Sequence, residues 1–152
     1  LAQARKFWDM REHVPLAQAD DGPNIKHDVS LPISAIPSFI ATCNDMLRAK
    51  YPGVRVINYG HLGDGNLHYN VQAPNGTDGA AFLRDYEDTV NTWVFDQVKA
   101  FEGSISAEHG VGSLKADKLT HYKDPTALAM MKAIKQALDP QNIMNPGRVI
   151  KI

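Results

Sequence analysis

The chain has 152 residues, 43% of them hydrophobic, a size and composition that suit one compact domain with a core of its own. Its 16 Lys and Arg against 17 Asp and Glu give a net charge of −1, and no basic run is present that would neutralise phosphates. This charge pattern excludes a nucleic-acid-binding protein. A membrane-spanning protein is excluded as well, since no apolar run is long enough to cross a bilayer.

The first third of the chain predicts a helix, a strand and a second helix. Helical spacing covers residues 1 to about 14 and is interrupted by Pro15 and the polar ADDGPN loop. The segment IKHDVSLP alternates as a half-buried strand does. Its inward positions are Ile25, His27, Val29 and Leu31. Pro37 then suits the first turn of a helix that runs to about Lys50.

The rest of the chain predicts two strands, at about 54 to 62 and 66 to 72, and a long helix over about 79 to 101. A last helix begins with Asp124 as N-cap and Pro125 as its first residue. Its predicted buried positions are Leu128, Met131, Ile134 and Leu138. Strands that alternate with helices and include one hairpin predict an α+β fold: a ferredoxin-like antiparallel sheet with helices packed on one face.

The single cysteine and the start of the chain indicate the setting of the protein. Cys43 cannot form an internal disulfide, so we expect a buried thiol and a reducing compartment. That compartment is the cytoplasm, or the mitochondrial matrix if the source is eukaryotic. The chain begins LAQARKFW, without Met or a signal pattern, so we expect a fragment of a longer protein.

The stretch GHLGDGNLHYN, residues 60 to 70, places two histidines around a predicted hairpin turn. With Asp-Gly at the tip, His61 and His68 become cross-strand neighbours with Cβ atoms ~5 Å apart. Alternation puts these histidines and Asn70 on one face. The opposite, apolar face is predicted to be core and contains Val54, Val56, Leu62, Leu67, Tyr69 and Val71.

Two histidines across a hairpin fit a metal site or a hydrogen-bonded surface pair, and spacing alone does not separate the two. The segment AEHGVG adds Glu108 and His109, and two imidazoles with one carboxylate form an open divalent-metal set. A continuing strand would turn Glu108 and His109 to opposite faces, so a shared site requires the strand to end near Ala107. Alternatively, Glu108 caps the following SLKADKL helix.

Three motifs together resemble the C-terminal part of the FAD-linked 2-hydroxy acid dehydrogenases and oxidases. They are GHLGDGNLHYN, SISAEHGVGSLK and LDPQNIMNPGRV, accompanied by FWDMRE and KHDVSLP. The resemblance implies that residues 1–152 are the substrate domain of a flavoprotein whose preceding FAD-binding domain is absent here. It also implies the oxidation of a small D-2-hydroxy acid by hydride transfer to FAD. The substrate stays open among D-lactate, D-2-hydroxyglutarate and glycolate, and the electron acceptor is unassigned.

The resemblance also implies roles for individual residues. The divalent ion, zinc or manganese, is held by His61, His68 and Glu108, and His109 is the catalytic base. Arg11, Lys26 and Asn70 bind the substrate, and Asn145 lies near the flavin.

Two other functions fit the same residues. The first is a non-catalytic metal- or ligand-binding module that keeps the site without a redox partner. The sequence permits it, because the glycines at 60 to 65 and 110 to 112 lack the strand-to-helix context of a dinucleotide-binding fingerprint. A stand-alone metal-dependent hydrolase would use the histidines and Glu108 to activate water. On either of these interpretations, as on the first, we expect the isolated chain to oxidise no hydroxy acid by itself.

Overall fold

The computed structural model describes residues 2–152 and has an α+β fold, which confirms the predicted class. The helices are α1 (Ala2–Asp20), α2 (Ile36–Lys50), α3 (Gly79–Ala100), α4 (Ala116–Tyr122) and α5 (Pro125–Leu138). The strands are β1 (Asn24–Ile25), β2 (Asp28–Ser30), β3 (Arg55–Tyr59) and β4 (Asn66–Gln72). Over residues 2–152, no helix combines the length and apolar character needed to cross a membrane.

Strand β4 is the centre of an antiparallel sheet. It pairs with β3 along one edge and with both β1 and β2 along the other. The pairs Asn24↔Gln72 and Asp28↔His68 belong to one register, so β1 and β2 are two parts of a single edge strand. That edge strand is the predicted IKHDVSLP strand, interrupted at residues 26–27.

After α3, the chain returns to this edge strand, where Ser104 forms a single bridge with Ser30. The order strand, helix, strand, strand, helix and short final strand is the split βαβ pattern of ferredoxin-like folds. The final strand is reduced to one bridge, and the chain then turns away into the 105–115 loop, which carries Glu108 and His109. The antiparallel sheet predicted from the sequence is therefore confirmed.

Helices α2 and α3 pack against the apolar face of the sheet and form the main core. Phe39 of α2 meets Tyr69 of β4 edge to face at 5.6 Å between ring centroids, and Val94 of α3 is fully buried. The inward positions predicted for the first strand are all buried, namely Ile25, His27, Val29 and Leu31. The apolar positions predicted in β4 are buried as well, namely Leu67, Tyr69 and Val71, but the polar residues Asn66, Asn70 and Gln72 on the opposite face are buried too.

The predicted hairpin register is wrong by two residues. His68 pairs with Tyr59 rather than with His61, and β3 ends at Tyr59. A short 3-10 turn at Leu62–Asp64 follows, closed by Gly65 in the left-handed conformation with φ of 69°. Because this turn needs more residues than a two-residue Asp-Gly tip, His61 lies in the loop. Leu62 is 60% exposed and does not belong to the core.

Helix α1 continues through Pro15 instead of ending there. The missing proline N–H removes one backbone bond, but a tertiary contact supports the turn beyond it. Asn70 Nδ2 donates to Gln18 Oε1 at 2.7 Å, and Gln18 is the buried side chain of α1. The end of α1 thereby contacts the polar face of the sheet. Leu1, the first residue of the predicted helix, lies outside the described residues.

Helix α5 begins as predicted, because the Asp124 side chain accepts a hydrogen bond from the Ala127 N–H. Its predicted burial is wrong: across residues 125–138, all of which the structure describes, no side chain is fully buried. Ile134 is 58% and Leu138 75% exposed. The apolar spacing of α5 is present, but neither the sheet nor another helix covers that stripe completely.

Candidate functional site

The polar face of the sheet forms the floor of a cleft of about 750 Å³. Its walls come from α1, the break between β1 and β2, the loop after β3, and the 108–115 loop. This cleft is lined by every residue predicted to bind the metal, to act as the catalytic base or to bind the substrate: Arg11, Lys26, His61, His68, Asn70, Glu108 and His109. Asn145, the predicted flavin contact, does not line it.

Glu108 lies between the two histidines despite the changed register. Its Oε1 is 3.1 Å from His61 Nε2, and its Oε2 is 3.4 Å from His68 Nε2. The His68 side chain is 13% exposed, whereas those of His61 and Glu108 are 42% and 41% exposed. Two ring nitrogens directed at one carboxylate form a partly open N2O donor set, which suits a divalent ion with room for substrate oxygens.

The two histidines are placed at the cleft by different elements, His68 by strand β4 and His61 by the loop after β3. His68 is held in β4, where its ring lies 4.9 Å from that of Tyr59 on the neighbouring strand. His61 follows Gly60, and a Cβ at Gly60 would come 2.5 Å from the carbonyl oxygen of Asn66. Glycine is therefore required for the loop to pass this close to β4 and to bring His61 back over the cleft.

Glu108 and His109 face the same cleft because the chain leaves the sheet and wraps around a buried carboxylate. Asp28 Oδ2 accepts hydrogen bonds from three consecutive backbone N–H groups, those of Ala107, Glu108 and His109, at 3.1, 2.9 and 2.8 Å. The turn they form replaces the strand that would have separated Glu108 from His109. The sequence requirement that the strand end near Ala107 is thus met through a residue that the sequence analysis did not identify.

The ionised form of Asp28 is stabilised by these bonds. Its side chain is 3% exposed, and burial alone would raise the pKa of the carboxyl group. The N–H groups of His109 and Ala107 outweigh this effect, with help from the nearby positive charge of Lys115, so the pKa lies below its usual value. Asp28 is therefore a fixed negative charge beneath the site.

Asp28, His68 and His109 form a second group that is close enough to share an ion, with one ligand atom from each within 4.8 Å of the others. In this group the Nδ1 atoms of His68 and His109 face Asp28, at 3.8 and 3.9 Å. The two oxygens of Asp28 already accept four N–H donors, the fourth being Asn66 Nδ2 at 3.0 Å. These bonds leave Asp28 poorly suited to ligate an ion itself.

Arg11 and Lys26 are both exposed at the cleft, on α1 and at the break in the edge strand. Arg11 Nη2 lies 3.0 Å from His61 Nδ1. Asn70, by contrast, is 2% exposed and its polar atoms are bonded within the protein. Its Nδ2 donates to Gln18, and its Oδ1 accepts the His27 N–H at 3.3 Å.

Asn145 lies in a separate apolar groove beside α5, lined also by Ile134, Leu138 and Met144. Its backbone is left-handed, with φ of 50°, within the turn that ends the chain. Arg148 lines both this groove and the cleft, so the two are neighbours. The structure thus groups seven of the eight predicted site residues in one cleft and leaves Asn145 outside.

Sequence comparisons show which known proteins this chain resembles. The family model described as FAD linked oxidases, C-terminal domain, matches residues 1–149. A D-2-hydroxyglutarate dehydrogenase of Xanthomonas citri pv. viticola is 41% identical over 150 residues, which are 99% of this chain and 31% of that protein. A protein of the same name from Stutzerimonas stutzeri (strain A1501) is 38% identical over 97% of this chain and 31% of its own length.

A plant relative, the mitochondrial D-2-hydroxyglutarate dehydrogenase of Arabidopsis thaliana, is 38% identical over 99% of this chain and 25% of that protein. The chain therefore spans between 25% and 31% of the length of these curated relatives. The family match, over residues 1–149, extends across all four strands and both loops that line the cleft. The chain belongs to the FAD linked oxidase family and corresponds to its C-terminal domain.

Proposed function

We propose that this chain is the substrate- and metal-binding domain of a flavoprotein that oxidises a D-2-hydroxy acid to the 2-oxo acid by hydride transfer to FAD. The observation that carries the proposal is the convergence of His61 Nε2 and His68 Nε2 on the two oxygens of Glu108. Family membership supports it. The FAD-binding domain would be supplied by the same full-length protein, since the relatives are three to four times as long as the match.

In this proposal His61, His68 and Glu108 hold a divalent ion, zinc or manganese. The donor types fit, because two imidazole nitrogens and one carboxylate suit either metal and leave positions for substrate oxygens. When bound, such an ion lowers the pKa of a substrate hydroxyl and orients it. His68 is the most enclosed of the three ligands and fixes the position of the set relative to the sheet.

His109 is the proposed base that accepts the hydroxyl proton. Its ring centroid is 5.5 Å from that of His68, and its side chain is 66% exposed, so a substrate bound beside His68 can reach it. His109 Nδ1 faces the fixed negative charge of Asp28 at 3.9 Å. That charge stabilises the imidazolium formed after proton transfer and leaves Nε2 to contact the substrate.

Arg11 and Lys26 are the proposed carboxylate partners, and both line the wall of the cleft. A guanidinium group matches a carboxylate in a bidentate fork, whereas an ammonium group acts as a point charge. Two cations allow a substrate with two carboxylates, and the names of the relatives make D-2-hydroxyglutarate the first acid to test. Asn70 contributes to the floor of the cleft, and Asn145 remains the proposed contact with the flavin from the neighbouring groove.

The test is the zinc and manganese content of tag-free protein, determined by elemental analysis after loading and desalting. We expect about one ion per chain in the unmodified protein. His61→Ala and Glu108→Ala should each lose it, while His121→Ala, which removes an exposed histidine on α4, should keep it. An absence of metal in the folded, loaded chain would contradict the proposal and favour the non-catalytic module.

A further inference from the structure

Resting on the proposed function, we propose that Asp28 and Asn66 are positioning residues that set the two ligand-bearing loops relative to each other. One loop carries His61, and the other carries Glu108 and His109. Neither Asp28 nor Asn66 is proposed to touch the metal or the substrate. Together they form a buried hydrogen-bonded bridge beneath the site.

The bridge is continuous from one loop to the other. Asp28 Oδ2 accepts the three N–H groups of residues 107–109, at 2.8 to 3.1 Å. Asp28 Oδ1 accepts Asn66 Nδ2 at 3.0 Å. Asn66 Oδ1 in turn accepts the backbone N–H of His61 at 3.3 Å. Asp28 and Asn66 therefore link the two loops through one chain of hydrogen bonds, and a displacement of either loop would break part of that chain.

Asp28 and Asn66 are both buried, so water cannot replace the hydrogen bonds that they make. Asp28 is 3% and Asn66 4% exposed. A buried polar group that loses its partner carries the full cost of desolvation, so a bridge of this kind favours one arrangement of the loops over all others. The ring nitrogens add a second effect, because the Nδ1 atoms of His68 and His109 both face Asp28. At 3.8 and 3.9 Å these contacts are longer than hydrogen bonds, so Asp28 acts on both rings only as a nearby negative charge.

The two side chains are matched in hydrogen-bonding type. Asp28 must accept at both oxygens, because all four groups around it are donors. In Asp28→Asn the new NH2 group would meet a donor on whichever side it points. In the double variant Asp28→Asn with Asn66→Asp, Asn Oδ1 can accept the three N–H groups while its NH2 group donates to the new aspartate. The second aspartate oxygen still accepts the His61 N–H.

This exchange of residues provides the experiment. Amide hydrogen exchange at residues 107–109, measured by NMR on the chain without metal, reports on the loop directly. We expect Asp28→Asn to accelerate exchange there by about tenfold or more, relative to the unmodified chain. The double variant should recover at least half of the lost protection on a logarithmic scale. Asp64→Asn makes the same chemical change at an exposed aspartate of the neighbouring turn and should leave these rates unchanged.

A control for general destabilisation is Tyr69→Phe, which removes the hydrogen bond to Asn44 on the other face of β4. It should lower the global stability without selective loss of protection at residues 107–109. Zinc affinity is the second readout. Asp28→Asn should weaken it by about tenfold to a hundredfold, as loss of a group that orients metal ligands does. The double variant should regain most of it, which a direct ligand at residue 28 would not allow.

Unchanged exchange in Asp28→Asn would overturn the inference. So would a double variant that exchanges as fast as the single variant or fails to fold, since the matched bonds would then not be what positions the loops. Failure of Asp28→Asn alone to fold, with the double variant folded and protected, would support it. If the unmodified chain bound no metal, the proposed function would fail, yet the exchange rates would still decide whether the bridge holds the loops.

Discussion

His27 makes the stability of this protein depend on pH in a predictable direction. Its side chain is fully buried on the core face of the edge strand, 5.5 Å from the ring of Phe95. Its Nδ1–H donates to the carbonyl oxygen of Tyr69 at 2.6 Å. Burial lowers the pKa of His27 from 6.5 to about 4, and the positive charges of Lys115 and Lys118 act in the same direction.

The sign follows from which state takes up the proton. Between pH 6.5 and about 4 the unfolded chain protonates this histidine while the folded protein keeps it neutral. The contribution to stability is therefore complete above pH 6.5 and is lost as the pH falls towards about 4. At about 1.36 kcal/mol per pH unit, this interval corresponds to about 3 kcal/mol.

The assay is urea unfolding of the unmodified chain and of His27→Leu at pH 7.5 and pH 4.5. The substitution removes the hydrogen bond to Tyr69 at both pH values, so the difference in pH dependence isolates the titration. We expect the unmodified chain to lose about 2 to 3 kcal/mol more than the variant on acidification. His121→Gln, at an exposed site, should behave as the unmodified chain does. Equal pH dependence in His27→Leu and the unmodified chain would refute the reasoning.

Three further outcomes are expected. Mixed with FAD and D-2-hydroxyglutarate, the 152-residue chain should leave the flavin absorbance unchanged, and bleaching would contradict the need for an FAD-binding domain. Arg11→Gln should weaken D-2-hydroxyglutarate binding to the zinc-loaded chain by roughly tenfold in calorimetry, whereas Arg5→Gln on the same helix should not. Equal affinities of Arg11→Gln and the unmodified chain would exclude Arg11 as a carboxylate partner. Phe39→Ala should lower the free energy of unfolding by about 3 to 5 kcal/mol, and Ile33→Ala, at a half-exposed position, by far less; similar losses would argue against the core described here.

The apolar face of the sheet could be predicted from the sequence because period-two alternation reports which residues of a strand share a face. It predicts the inward set of IKHDVSLP and the apolar positions of β4, but not that Asp28, Asn66 and Asn70 on the opposite face are buried too. The register could not be predicted, because it depends on the geometry of the turn. A 3-10 turn and an Asp-Gly tip are both compatible with GHLGDGN, and they differ by two residues in pairing.

The candidate site was predictable to the extent that its residues were chemically distinctive. His61, His68 and Glu108 were recognisable as donors, and the change of register left them together because the loop brings His61 back. Asp28 was missed, since an aspartate on the polar face of a strand usually faces solvent. The sequence offered only its alternation, which places Asp28 on the polar face of the predicted strand; its pairing with His68 is a fact of the structure. Its partners, the N–H groups of residues 107–109, are defined only by the tertiary fold.

The contact between Arg11 and His61 has a consequence for metal binding at the site. A guanidinium group only donates, so its contact with His61 Nδ1 requires the tautomer whose proton is on Nε2. Coordination through Nε2 requires the opposite tautomer, in which Nδ1 carries the proton and repels a donor. In the proposed site, Arg11 and a metal ion would therefore compete for the same imidazole through its proton. Metal binding at His61 would end this contact, and Arg11, still paired with Glu12, would reach a substrate carboxylate only by exchanging one carboxylate partner for another.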